Sequence, residues 1–365
     1  MEGRKRQVNF ELLRIVAMLM IISLHYLDKS DILMGFLGDQ RENPVSAFGW
    51  LIEAFCNVAV NCYVLISGYF CVKSVWKPGR ALVLLSQVLF YSIGIPCVLF
   101  LCGSELVSGL GLYDWLDFVL PIETEHYWFA TYYLFMYLFS PFLSIGIRQM
   151  EKRQLQTVMV FLLCFFSLGK TIIPANLEAV GFGYGMSWFL CLFVFGGYIR
   201  KYGISWFEKQ SHAVTVYFLS GLGVWLMAML CNILRFTPLG GETETLGYYP
   251  LVLYSYNHLF CLVGAVALFY VFKNMRIREG RFAGAVRKLA PYTFGVYLLH
   301  EHNLVRYEWM NWLGVETVRE SFLFVPHMIG CILLVFVIGI AVDAVRAWLF
   351  ARAGAMIGSW SRKTS

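Results

Sequence analysis

Charged side chains are scarce in this sequence: 14% of 365 residues, against 59% hydrophobic and 17% aromatic. So small a share excludes an ordinary soluble domain, in which about a quarter of residues are charged. No polar stretch is long enough for a separate soluble domain, which usually needs about 50 residues or more. Residues 1–365 are therefore expected to form a single domain. Alternation of apolar and polar residues is missing too; the apolar runs are continuous, which argues against a β-barrel. What remains is the all-α class, a polytopic membrane helix bundle, because helices satisfy every backbone polar group within the segment.

Other signatures are also missing. None of the ten cysteines forms a CxxC pair, and all lie in or beside apolar runs, as inert core thiols do. No GxSxG, HExxH, Walker or EF-hand pattern occurs, and "GFGYGMSW" lacks the strand–helix context of a nucleotide-binding loop. The N-terminal "MEGRKRQVNF" has no small-residue cleavage site, so the run after it is read as a retained first helix.

Windows of about 20 apolar residues place ten spans at 10–27, 47–72, 81–102, 127–147, 155–173, 184–199, 213–234, 249–272, 289–313 and 322–349. With the N-terminus in the cytoplasm, 22 of the 29 basic residues fall on the cytoplasmic side and 6 on the outer side, Arg14 lying within the first helix. Acidic residues run the other way, 17 of 23 outside. That asymmetry is a positive-inside signal and puts both termini in the cytoplasm. The net charge of +6 then reflects topology and gives no reason to expect nucleic acid.

Against this background "RIVAMLMIISLH" stands out, with Arg14 and His25 inside one span. Eleven positions are about three helical turns, which puts both groups within roughly 20° of one face and about 16 Å apart along the axis. Each also has a plain reading: Arg14 reaching lipid phosphates, His25 lying at the interface beside Tyr26.

With "VLISGYF", "KPGR", "HYWFATYYLFMYLFSPFL" and "TFGVYLLH", the stretch resembles the acyltransferase-3 family of integral membrane acyltransferases, across essentially the whole chain. In the second span, "AFCNVAVNCYVLISGYF", the glycine- and proline-rich pattern of many members is weak. The soluble esterase-like domain that some members append is not seen either, which assigns any activity to the membrane core. The resemblance implies transfer of an acyl group, acetyl first, from cytoplasmic acyl-CoA to a hydroxyl of a cell-envelope glycan or lipid-linked sugar, in a bacterial plasma membrane. His25 is then the base, or carries the acyl group itself. Arg14, Lys73, Lys77 and Arg80 are expected to meet the donor's phosphates. The competing reading is a transporter or exporter of an envelope glycan or small solute.

Six of the seven histidines fall in the outer half. Glu53, His126, Trp128, Tyr132 and His300 are the candidates for the acceptor side, with Glu53 a possible orienter of His25; ordinary interfacial residues explain each of them as well. "HEH" at 300–302 suggests a metal, but residues two apart point to different sides of a helix, so none is expected. The acidic outer loops argue against a strongly anionic acceptor.

Overall fold

The computed structural model describes residues 7–34, 43–172, 181–235, 237 and 252–364, without the side chains of 170 and 356–364. Arg4, Lys5 and Arg6, the extreme N-terminus and parts of the 155–173 and 249–272 windows lie outside these residues. The described residues contain helices and no strand.

Among the described residues, six helical segments are long and apolar enough to cross a membrane: Val8–Lys29, Pro44–Cys71, Pro78–Leu101, Trp128–Gln149, Gln210–Arg235 and Phe324–Ala355. We number the helices α1 (Val8–Lys29), α2 (Pro44–Cys56), α3 (Ala59–Cys71), α4 (Pro78–Leu101), α5 (Leu112–Val119), α6 (Trp128–Gln149) and α7 (Lys152–Leu163). After these come α8 (Met186–Tyr202), α9 (Gln210–Arg235), α10 (Leu259–Asn274), α11 (Arg281–Leu289), α12 (Thr293–His300), α13 (Glu308–Trp312) and α14 (Phe324–Thr364).

The windows 155–173, 184–199 and 249–272 contain shorter helices; in the first, α7 runs into the π-helical turn Cys164–Leu168. Two windows are broken. The second is interrupted between α2 and α3, where the Asn57 amide donates to Tyr254 O at 2.8 Å and Cys261 Sγ lies 2.6 Å from Asn57 Oδ1. The ninth, 289–313, reads as one span and is instead a 3₁₀ turn at Ala290–Tyr292, the short α12 and then turns leading to α13. Pro291 lacks the N–H that a continuous helix needs, and the polar run after Leu299 bonds to other elements.

α1 is the axle of the bundle, packed against α2, α3, α10, α11, α12 and α14. Its buried side chains span its whole length, whereas α4 and α9 turn outward residues such as Val98, Leu101 and Leu219, as lipid-facing helices do. α3 and α8 meet at their backbones: a Cβ on Gly68 would strike the Phe193 backbone, and one on Gly196 the Leu65 carbonyl. Such small-residue crossings let helices gain dispersion contact where lipid offers no hydrophobic drive.

Candidate functional site

Arg14 and His25 both line internal space. At the basic end of the bundle a cavity of about 580 Å³ is walled by Arg14 and Glu11 of α1, Tyr63 and Ser67 of α3, Arg80 and Gln87 of α4, Tyr133 of α6 and Thr293 of α12. The Arg14 guanidinium is held 2.5 Å from Glu11 Oε1, and the Tyr63 hydroxyl donates to the Arg14 carbonyl at 2.7 Å. On α4 the spacing of Arg80, Leu84 and Gln87 presents one helical face to this space.

Above it is a void of about 20 Å³ lined by His25, Met18, Trp128, Tyr256 and Tyr297. Tyr63, Phe129 and Phe294 belong to both walls, so the Arg14 cavity and the space at His25 adjoin at these three rings. The upper space is large enough for about one water.

His25 is embedded in a polar cluster. Its Nδ1 lies 2.9 Å from His300 Nε2 and 3.2 Å from Glu301 Oε1, and Lys29 forms an ion pair with the same carboxylate oxygen. His300 Nδ1 is 2.6 Å from the Val296 carbonyl. A carbonyl only accepts, so His300 Nδ1 carries the proton and Nε2 accepts from His25 Nδ1–H. That leaves a lone pair on His25 Nε2 when both rings are neutral. No described residue hydrogen-bonds that nitrogen, so its lone pair is unengaged within the cluster.

His25, His300 and Glu301 each place one metal-ligand atom within 4.8 Å of the others. The Lys29 ammonium already neutralises Glu301, and the two imidazoles bond to each other, so the cluster is complete as a hydrogen-bonded network.

The sequence candidates separate in space. Arg80 joins Arg14 at the large cavity, while Lys73 lines a different one with Arg148, and Lys77 is among the lining residues of neither. Trp128 and His300 join His25. Glu53 does not orient His25: the carboxylate beside that ring is Glu301's, and Glu53 Oε2 is buried without a described partner. Tyr132 donates to Glu125 at 2.8 Å instead of lining either void.

His126 belongs to another network. Its Nδ1 lies 2.5 Å from Asp117 Oδ2, which also accepts from the Asn303 amide at 2.8 Å. Burial opposes the Asp117 charge, yet hydrogen bonds from Thr124, His126 and Asn303 hold its carboxyl below the usual range; burial pushes the His126 imidazole down. This cluster pins α5 to the loop after α12.

Glu301 and Lys29 escaped the sequence reading because a continuing helix was assumed at 300–302. α12 stops at His300 with Glu301 as its cap, so consecutive side chains reach His25. The "HEH" triplet beside an intramembrane histidine was the available signal.

A helical bundle with this many long apolar helices is a multi-pass membrane protein. More particularly, the chain belongs to the acyltransferase-3 family: residues 7–346 match the family's sequence model, described as an acyltransferase domain. It is a membrane acyltransferase. The chain matches no curated protein and no solved structure.

Proposed function

We propose that this single-domain protein is an O-acetyltransferase of the cell membrane, moving acetyl from cytoplasmic acetyl-CoA to a hydroxyl of an envelope glycan. One observation carries the reading: the Arg14 cavity and the void at His25 share Tyr63, Phe129 and Phe294. The donor's phosphates stay with Arg14 and Arg80 at the basic end, and its pantetheine arm follows the wall of α1 toward His25. That path of about 16 Å is the rise between residues 14 and 25. Its upper part must widen before the arm reaches His25, and the three shared rings line the stretch that has to open.

At the top, His25 Nε2 takes the proton of the acceptor hydroxyl as its oxygen attacks the thioester carbonyl. The C–S bond breaks, the ester forms, and the imidazolium returns its proton to the departing sulfur. Glu301 and His300 hold the ring by Nδ1, and the carboxylate steadies the transient positive charge. Attack by His25 Nε2 on the thioester, followed by transfer from an acyl-histidine, uses the same placement.

The test is radiolabelled acetyl-CoA with the full chain in proteoliposomes and envelope glycan acceptors. His25→Ala is expected to insert normally and to transfer no label. Full transfer by that variant overturns the assignment.

A further inference from the structure

The cavity that holds Lys73 has no part in acyl transfer as read above. It has a volume of about 420 Å³ and lies between the 72–77 connection, which joins α3 to α4, and the second half of α6. It shares no lining residue with the Arg14 cavity.

Its two walls are clamped together at both ends. Pro141 lacks the N–H that would pair Tyr137 O within α6. That carbonyl accepts instead from Trp76 Nε1 at 3.2 Å and from Ser140 Oγ at 2.7 Å. The Tyr137 hydroxyl donates back to Lys77 O at 2.9 Å, and Trp76 stacks on the same ring. At the other end Arg148 Nη1 donates to Val72 O at 3.0 Å. Tyr137 and Arg148 are about 16 Å apart by helical rise, and the cavity is the space left between the two clamps.

Several polar groups line this space without partners. Lys73 and Arg148 pair with no carboxylate among the described residues, and Arg148 keeps donors beyond its Val72 bond. Ser144 is 4% exposed, yet its hydroxyl bonds to no described residue. The mouth, by contrast, is apolar: Val75 is 79% exposed and Ile145 46%.

We propose that this cavity binds the headgroup of an anionic phospholipid from the leaflet at the basic end of the bundle. Its phosphate sits between Lys73 and Arg148, and its acyl chains run out past Val75 and Ile145. The guanidinium fork takes phosphate oxygens in pairs, and the ammonium supplies a point charge beside it. Basic residues at the membrane surface attract anionic lipid in general. The buried hydroxyl and the clamped walls add a shape that scattered surface charge lacks. A water-soluble phosphate gains nothing from an apolar mouth, whereas a molecule that carries hydrocarbon does. Acyl transfer plays no part in this binding, so failure of the proposed function leaves it standing.

The experiment is native mass spectrometry of the full chain from mixed micelles with equal amounts of phosphatidylglycerol and phosphatidylcholine. Preferential retention of phosphatidylglycerol is expected. Lys73→Gln combined with Arg148→Gln should reduce that preference about tenfold, the value of one or two charged hydrogen bonds. Val75→Glu keeps both cations and changes a largely exposed side chain, so folding is not at stake; its carboxylate should repel the headgroup and lower the preference too. Lys152→Gln combined with Arg153→Gln removes the same charge from the exposed start of α7 and should leave the preference unchanged.

Equal retention of the two lipids by the native chain overturns the proposal. An equal loss in the Lys152 and Arg153 variant marks general attraction to a basic surface and also overturns it. Acetyl-CoA added as a competitor is expected to leave the lipid bound; displacement assigns the cavity to the donor's phosphates and defeats the lipid assignment.

Discussion

His25 Nδ1 and His300 Nε2 lie 2.9 Å apart, with ring centroids at 5.1 Å and planes tilted by 48°, joining the first helix of the chain to the end of a helix 275 residues later. The pair fixes which nitrogen of His25 is free. His300→Ala should therefore reduce kcat by about 10–100-fold, the usual cost of losing a partner that orients a functional histidine, with little change in donor KM. His300→Gln, whose Oε1 can still accept from His25 Nδ1–H, should recover part of the loss. Steady-state kinetics in proteoliposomes would check both; a change confined to KM would contradict this role.

The cations at the basic end should divide as the cavities do. Arg14→Gln or Arg80→Gln is expected to raise the donor KM about tenfold, the value of one charged hydrogen bond. Lys73→Gln should have a smaller effect, because Lys73 faces a separate cavity. Titration of acetyl-CoA binding by isothermal calorimetry distinguishes them.

Asp343 is fully buried, and its carboxylate accepts from Gln87, Tyr91 and a forked Arg346. Removing one partner of a buried ion pair strands the other, at a cost of about 3–5 kcal/mol. Asp343→Ala should lower the unfolding temperature in detergent sharply, while Asp343→Leu combined with Arg346→Leu should recover much of it. Gln87 lines the Arg14 cavity, so a surviving Asp343→Asn protein is also expected to show weaker donor binding.

The Asp117–His126 cluster makes the α5 segment acid-sensitive. The His126 pKa is pushed below its ordinary 6.5 by burial, so protonation favours the open form as pH falls through that value. Asp117 is likewise depressed, so its contribution is present above the ordinary 3.8 and lost as pH falls further. Protection of the 112–126 amides against hydrogen exchange, corrected for the intrinsic pH dependence of the exchange rate, should be weaker at pH 5 than at pH 7.5, and His126→Phe should flatten that difference. Protection factors independent of pH in the native protein would refute the account.

Periodicity and charge carried much of this protein's description. The continuous apolar runs specified helices in lipid, because backbone groups there have no water to bond. The eleven-residue interval placed Arg14 and His25 on one face, since helical rise and turn are local properties. The partners of those residues were another matter. Glu53 and Glu301 are equally acidic as letters, but only the ending of α12 at His300 brings Glu301 to His25. Lys73 and Arg80 are both basic and seven positions apart, yet they face different cavities on either side of the turn into α4. Spacing along one helix is set by its own geometry. Which side chains from different helices meet depends on where helices break and how closely their backbones approach, and the packing of the whole bundle decides that.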